Sequence, residues 1–95
     1  VRRGSRCAGT HTVTYVGGVP DEGPARFGFI VSRQVGSAVT RNTVRRRLKA
    51  VCAEALPLVR GGASVVIRAL PSAATVDYAD LRADVVRCLQ RKAAA

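Results

Sequence analysis

The sequence predicts an α/β (α+β) two-layer sandwich, in which helices cover one face of a small mixed sheet. Strand-like and helix-like segments follow one another in the order β-β-α-β-α, and a parallel β-α-β unit is expected around the long central helix. The 95 residues are too few for a second core, so we expect one domain over residues 1–95. The apolar fraction of 47% is high enough for that domain to form a real core.

Three segments have the composition of strands, because β-branched or alternating apolar residues dominate them. They are residues 10–16, 26–32 and 63–70. The first is expected to place Val13 and Tyr15 on one face. The second is expected to direct Phe27 and Phe29 into the core. The third is a nearly continuous apolar run, which predicts a strand buried on both faces or nearly so. Residues 1–9 are basic and contain glycine, and they resemble the exit from an earlier element more than a start.

The central helix is predicted from residues 35–49, which read VGSAVTRNTVRRRLK. Ser37 precedes the apolar period as a suitable N-cap, and Pro57 follows the expected last residue, Leu56. The apolar stripe that should face the core comprises Val44, Leu48, Val51, Cys52 and Ala55. A separate polar face comprises Asn42, Arg45, Arg46 and Lys49. The helix is therefore expected to have a core side and a basic side.

A second helix is expected near the end of the chain. Asp77 is its predicted N-cap and Asp80 stands at its third position, as in a variant of the capping box. The predicted core stripe comprises Leu81, Val85, Cys88 and Leu89. Its acids, including Asp84, are expected to have capping or surface roles.

The charge balance favours a polyanionic partner. The chain has 16 Lys and Arg residues against 6 Asp and Glu residues, a formal net charge of +10 and a pI of about 11.3. No acid lies between Glu22 and Glu54, whereas a solvated helix face usually mixes both signs. We therefore expect contact with RNA or DNA. An anionic membrane is the weaker alternative, because the basic face lacks flanking Trp or Phe. The clustered cations are Arg33, Arg41, Arg45, Arg46, Arg47 and Lys49.

Residue types that could carry catalysis or bind a metal are scarce. His11 is the one histidine, and neither a nucleophile–base arrangement nor a phosphate-binding glycine motif is visible. We expect a polypeptide that is not catalytic by itself, with no metal site and no protein-bound cofactor. The cysteines lack metal-ligand spacing and are interpreted as free thiols in a reducing cytosol. They are Cys7, Cys52 and Cys88.

Residues 32–49, SRQVGSAVTRNTVRRRLK, resemble the arginine-asparagine-arginine signature of the bacterial ribonuclease P protein subunit. Arg41 and Asn42 match the start of the signature, and Thr43 stands where the family has its second arginine. The resemblance covers nearly the whole chain, including the Arg-Arg-Gly sequence of residues 2–4 before the first strand. The family begins with a further helix, and this chain begins where that helix would end.

The resemblance implies a subunit that joins a catalytic RNA and assists removal of the 5′ leader from precursor tRNA in the bacterial cytoplasm. The RNA would carry the chemistry and require Mg²⁺. The implied RNA-binding residues are Arg33, Arg41, Asn42, Arg45, Arg46 and Lys49. The implied leader-binding cleft involves Tyr15, Arg33 and Arg45.

The resemblance also bears on the fold and on the alternatives. It implies a left-handed β-α-β crossover, against the general preference for right-handed ones. A small ribosomal or general RNA-binding protein with the same sandwich fold is the alternative. That alternative accounts for the charge but not for the VGxAVxRN pattern with its following basic residues.

Overall fold

The structure is a computed structural model that describes residues 5–18 and 23–94. The elements of this described part are β1 (Ser5–Ala8), β2 (Thr12–Gly18), β3 (Arg26–Ile30), α1 (Ala38–Ala55), β4 (Ala63–Ala69) and α2 (Tyr78–Lys92). Short 3-10 turns occupy Arg33–Val35, Leu56–Leu58 and Pro71–Ala74. The predicted order β-β-α-β-α is confirmed from β2 onward. The basic residues 2–4 lie outside the described residues.

The four strands form one mixed sheet in the order β1-β2-β4-β3. Strand β2 pairs antiparallel with β1 and with β4, whereas β3 pairs in parallel with β4. Parallel neighbours need a crossover connection, which α1 provides here. The predicted β-α-β unit is therefore confirmed, and the hand of its crossover stays a prediction.

The core lies between the two helices and one face of the sheet. Val16, Val65 and Ile67 contribute to it from the sheet, and Phe27 and Phe29 are partly buried against it as expected. Each fully buried Val or Leu side chain stabilises the fold by about 1.5–3 kcal/mol. The predicted stripes are all buried and comprise Val44, Leu48, Val51, Cys52 and Ala55 of α1 with Leu81, Val85, Cys88 and Leu89 of α2.

The start of α1 is fixed by a cap and a close contact. The Ser37 hydroxyl accepts a hydrogen bond from the Thr40 backbone N–H at 3.3 Å, which confirms the predicted N-cap. Gly36 has a φ of 155°, and a Cβ there would lie 2.9 Å from Thr40 Cγ2, so a side chain at this position would be strained. At α2, Asp77 occupies the N-cap position, but its side chain makes no capping bond to the described residues.

The sequence interpretation is wrong at two strands. Ser5–Ala8 forms the edge strand β1, where the sequence resembled an exit from an earlier element. This strand is short and buries only Cys7, so it has no alternating apolar pattern to detect. Strand β4 was expected to be buried on both faces, yet Ser64 and Arg68 are exposed. Its apolar run packs on the helices on one side and borders an open surface on the other.

The expectation of three free thiols is wrong for two of them. Cys7 and Cys88 form a disulfide that joins β1 to α2 across 81 residues of chain. Their wide spacing gave no signal in the sequence, because only the folded topology brings their Cα atoms to 5.6 Å. Cys52 is free and buried, and burial raises its pKa to about 12, so its thiol stays protonated and fills the core.

Asp84 of α2 is buried, which corrects the capping or surface role expected of it. Its carboxylate accepts hydrogen bonds from the backbone N–H groups of Thr10 at 3.0 Å and His11 at 3.1 Å. The Thr12 hydroxyl donates a third at 2.8 Å, and Arg87 forms an ion pair at 3.0 Å. Burial alone would raise the pKa of Asp84, but these partners outweigh it and hold the pKa below its ordinary value.

The turn between β1 and β2 approaches α2 too closely to carry a side chain at Gly9. A Cβ on Gly9 would overlap Asp84 Oδ1. The Gly9 N–H closes the turn by donating to the Thr12 carbonyl at 2.7 Å. The disulfide and the Asp84 carboxylate therefore fasten this turn to α2 at adjacent points.

Candidate nucleic-acid interface

A polar ridge runs along the outer face of α1. We call Asn42, Arg45, Arg46 and Lys49 the α1 ridge. The 3.6-residue period of the helix brings these positions to one side. All are exposed except Arg45, which is partly buried. Because Val44 and Leu48 are buried, the predicted division of α1 into a core side and a basic side is confirmed.

A hydrogen bond organises the first turn of the ridge. Arg45 Nη1 donates to Asn42 Oδ1 at 3.1 Å. A guanidinium carries five N–H donors in a plane, so four of the Arg45 donors are left over by this bond. Two adjacent donors of such a fork match two oxygens of one phosphate. The bond therefore orients Arg45 without using up its capacity for an anion.

Two further arginines lie near the start of α1. Arg41 is in the first turn, and its Nε atom is buried without a hydrogen-bond partner in the described part of the chain. Arg33 is exposed and begins the 3-10 turn that precedes α1. The positive end of the helix dipole lies at the same place, so this region attracts anions.

The cations of α1 and of the turn before it have no acidic partner among residues 5–18 and 23–94. The ion pairs found there join Arg82 to Glu54 at 3.5 Å and Arg87 to Asp84 at 3.0 Å. Glu54 lies in the last turn of α1 and faces α2, where its hydrogen bond from the Tyr78 hydroxyl at 2.7 Å raises the Tyr78 pKa. The positive charge of the α1 ridge is therefore left unneutralised by the fold.

Two residues of the arginine-rich stretch make contacts within the protein instead. Arg47 Nη1 donates to the Val76 carbonyl at 3.4 Å and ties α1 to the segment before α2. Arg47 was counted among the clustered cations, but its side chain is directed toward the segment before α2 and is not part of the α1 ridge. The Thr43 hydroxyl donates to the Val39 carbonyl at 3.1 Å, a local bond within the helix. The cation that the signature would place at residue 43 is thus replaced by a short side chain.

The face of the sheet opposite the helices is open, and we call it the open sheet face. In the order β1, β2, β4, β3, one row across it is Arg6, Tyr15, Val66 and Gly28. The next row is Ala8, Val13, Arg68 and Ile30. A hollow of about 600 Å³ on this face is lined by Tyr15, Ile30, Ser32, Val66 and Arg68.

The hollow contains one of the three predicted cleft residues, and its one cation among the described residues is a residue that was not predicted to lie there. Tyr15 lines it, as the resemblance implies. Arg33 and Arg45 do not line it, but Ser32, the neighbour of Arg33, does. Arg68 lines the hollow and was missed, because it was hidden in an apolar run expected to be buried on both faces. A strict two-residue period along that run would have placed it on the exposed side.

The comparisons with known proteins identify the family. A family model described as ribonuclease P matches residues 1–93. The chain belongs to the ribonuclease P protein family. The ribonuclease P protein component of Clavibacter michiganensis is 49% identical over 92 residues, covering 96% of this chain and 80% of its own length. The corresponding protein of a Nocardioides species is 47% identical over 94 residues, with the same coverage.

Solved structures of ribonuclease P proteins share the fold. The protein from Thermotoga maritima superposes with a TM-score of 0.84 at 19% sequence identity, covering 95% of this chain and 84% of its own. The protein from Staphylococcus aureus gives a TM-score of 0.82 at 19% identity, covering 95% and 82%. The predicted α/β sandwich is therefore confirmed.

Membership of this family confirms the reading of the signature. As a member of this family, the chain is part of the RNA-catalysed holoenzyme that processes the 5′ end of tRNA, so it works with RNA in a ribonucleoprotein. The alternative of a ribosomal protein is not favoured. In the described part of the chain, neither helix is long and apolar enough to cross a membrane.

Proposed function

We propose that residues 1–95 form one RNA-binding domain that contacts both the catalytic RNA and the 5′ leader of precursor tRNA. The observations that carry this proposal are the unneutralised charge of the α1 ridge and, on the other face of the sheet, an open surface that bears Tyr15. The first surface suits a structured phosphate backbone, and the second suits a single strand. The assembly works in the bacterial cytoplasm under this proposal.

The α1 ridge and the arginines near the helix start are assigned to phosphate contacts. The planar guanidinium of Arg45 is already oriented by Asn42, which lowers the conformational entropy lost on binding. Arg46 and Lys49 are exposed and add charge along the same face. The proposed RNA-binding set is Arg33, Arg41, Asn42, Arg45, Arg46 and Lys49.

The open sheet face is assigned to the single-stranded leader. Tyr15 offers a ring on which an unpaired base can stack, an interaction worth about 1–3 kcal/mol per base. Ser32 at the rim connects the hollow to Arg33 and so to the start of α1. We propose that Arg33 and Arg45 also contact the leader where it leaves the hollow, so that Tyr15 holds a base while the arginines hold phosphates.

The chemistry of leader removal is assigned to the RNA, with Mg²⁺ bound by its phosphates. The described residues offer no group of three or more His, Cys, Asp or Glu side chains that could hold a metal ion, so no step is assigned to a protein-bound metal. His11 Nδ1 lies 2.8 Å from the Ser72 hydroxyl, but Asp84 bonds the His11 backbone rather than its ring. That arrangement differs from a catalytic triad, in which the acid orients the imidazole.

Reconstitution tests the proposal. The chain is mixed with the catalytic RNA and precursor tRNA at low Mg²⁺, and leader removal is timed with and without protein. We expect faster cleavage with protein, and less stimulation after Arg45→Ala than after the matched change Arg82→Ala on α2. Equal rates with and without the protein would refute the proposed contacts. Equal losses of stimulation in the two variants would show that the protein acts through nonspecific charge and not through the proposed contacts.

A further inference from the structure

We propose that Arg68 is a leader-contacting residue that fixes a phosphate next to the base held at Tyr15. This inference rests on the proposed binding of the leader at the open sheet face and adds a residue outside the signature. Arg68 lines the same hollow as Tyr15 and is exposed. It would give the hollow a cation that does not come from α1.

The register of the sheet places Arg68 beside Tyr15. Tyr15 is opposite Val66 on the neighbouring strand, and Arg68 follows Val66 by two residues on the same face. Such diagonal neighbours lie roughly 7–8 Å apart, within reach of long and aromatic side chains. The flanking residues Ile67 and Ala69 are buried on the other side, so the backbone holds Arg68 toward the open face.

Ordinary structural roles do not account for an arginine at this position. Charged residues on strands often protect sheet edges from pairing with other chains. That reason suits Arg6 and Arg26, which are on the edge strands β1 and β3, but β4 is paired on both sides. The rows that contain Tyr15 and Arg68 include no acid, and Arg68 forms no ion pair with the described residues. Its charge is therefore free for an external anion.

The open sheet face leaves room for a nucleotide next to the two side chains, over Val66 and Gly28. Gly28 follows Val66 in the Tyr15 row, and a Cβ built there would meet only Val66 Cγ2, at 3.8 Å. Proteins that hold single strands combine a stacking ring with a cation that tracks the backbone. Tyr15 and Arg68 supply this pair on adjacent strands. A nucleotide stacked on Tyr15 would direct a neighbouring phosphate toward the Arg68 guanidinium.

The inference predicts an effect confined to RNA that carries a leader. Holoenzyme is assembled from the full chain and catalytic RNA, and its affinity is measured for precursor tRNA and for mature tRNA lacking the leader. We expect Arg68→Gln to weaken precursor binding by about five- to tenfold and to flatten its salt dependence by about 0.7 in log–log slope. Mature tRNA and catalytic RNA should bind as before. Arg68→Lys should recover part of the loss.

A matched variant and the wild-type holoenzyme distinguish the possible failures. Arg91→Gln removes one exposed charge from α2, on the other side of the sheet, and should leave precursor binding within about twofold. The Arg68 assignment is overturned if wild-type holoenzyme prefers precursor to mature tRNA and Arg68→Gln keeps that preference in full. If wild type itself shows no such preference, the proposed leader site fails, and Arg68 fails with it. A loss of catalytic-RNA affinity in Arg68→Gln would also overturn the assignment.

Discussion

The outer faces of α1 and α2 both carry arginines, and they differ in where the nearest acids lie. On α2, Arg82 is 3.5 Å from Glu54, and Arg87 is 3.0 Å from the buried Asp84. On the α1 ridge, Arg45 and its neighbours have no carboxylate partner among the described residues. A paired arginine supports the fold, whereas an unpaired one retains its charge for a ligand. Arg91 of α2 also lacks an ion pair with the described residues, so it is the clustering of unpaired cations on one face that distinguishes the α1 ridge.

The largest expected effect is a loss of stability when the buried carboxylate of Asp84 on α2 is removed. Asp84→Ala should lower the free energy of unfolding by about 3–5 kcal/mol, because it leaves the hydrogen-bond donors of Thr10, His11 and Thr12 without an acceptor. Urea unfolding monitored by circular dichroism measures the loss. Asp80→Ala, one turn earlier and exposed, is the matched control and should change stability by less than about 0.5 kcal/mol. Equal losses would contradict the role given to Asp84.

Because of the same carboxylate, we expect the free energy of unfolding to decrease in acid. Its pKa is lower in the folded chain than the ordinary value of about 3.9, so its contribution is present above that value. The contribution is lost as the pH falls through the lower folded pKa. Unfolding free energies measured from pH 7 downward should therefore decrease below about pH 4. Asp84→Asn should show a shallower decrease, and an unchanged slope would count against this assignment.

The disulfide should have the next largest effect, again on stability. Reduction, or Cys88→Ser, is expected to cost roughly 2–4 kcal/mol, because the bond closes a long loop and holds β1 against α2. The measurement is unfolding with and without a reductant. Cys52→Ala should respond to the reductant as wild type does, since Cys52 is outside the bond. A wild-type chain whose stability does not change on addition of the reductant would show that the pair is not bonded.

The ridge itself should affect RNA binding and leave stability intact. The double variant Arg45→Ala, Arg46→Ala is expected to bind catalytic RNA about tenfold or more weakly at fixed salt, through loss of two phosphate contacts. Arg82→Ala, whose arginine is paired with Glu54, should bind within about twofold of wild type. Fluorescence anisotropy with labelled RNA gives both values. Comparable losses in the two proteins would remove the distinction between the helices.

The smallest expected effect is a gain in RNA affinity at residue 43, where this sequence departs from the family signature. Thr43→Arg should tighten RNA binding by a few-fold, since it adds a cation one turn from the helix start and costs only the local bond to Val39. Thr43→Gln is the control, because glutamine and arginine have similar helix propensities. The affinities of both are compared with wild type. Equal affinities of the two variants would assign no role to the added charge.

The sequence predicted α1 well because its determinants are local. The Ser37 cap, the apolar stripe and Pro57 all fall within about one helix length, and the helical period separates Val44 from Arg45 without reference to the rest of the chain. The signature residues lie on the same helix. Fold class and family could therefore be predicted from this stretch and the order of elements.

The features that escaped prediction depend on contacts between distant residues. The hydrogen bonds to Asp84 span 72 to 74 residues, and the disulfide spans 81. Arg68 was missed for a related reason: one face of β4 is open only because both helices pack on the other. The residues of a strand alone do not show which of its two faces a helix will cover.

The dependence of RNA affinity on salt tests the central claim most directly. If the five cations of the proposed site each neutralise one phosphate, log K should fall with log salt at a slope of roughly −3.5 to −4.5 in wild type. The double variant Arg45→Ala, Arg46→Ala should flatten that slope by about 1.4–1.8, whereas Arg82→Ala should keep it. A double variant with the wild-type slope would contradict the assignment of the α1 ridge to RNA phosphates.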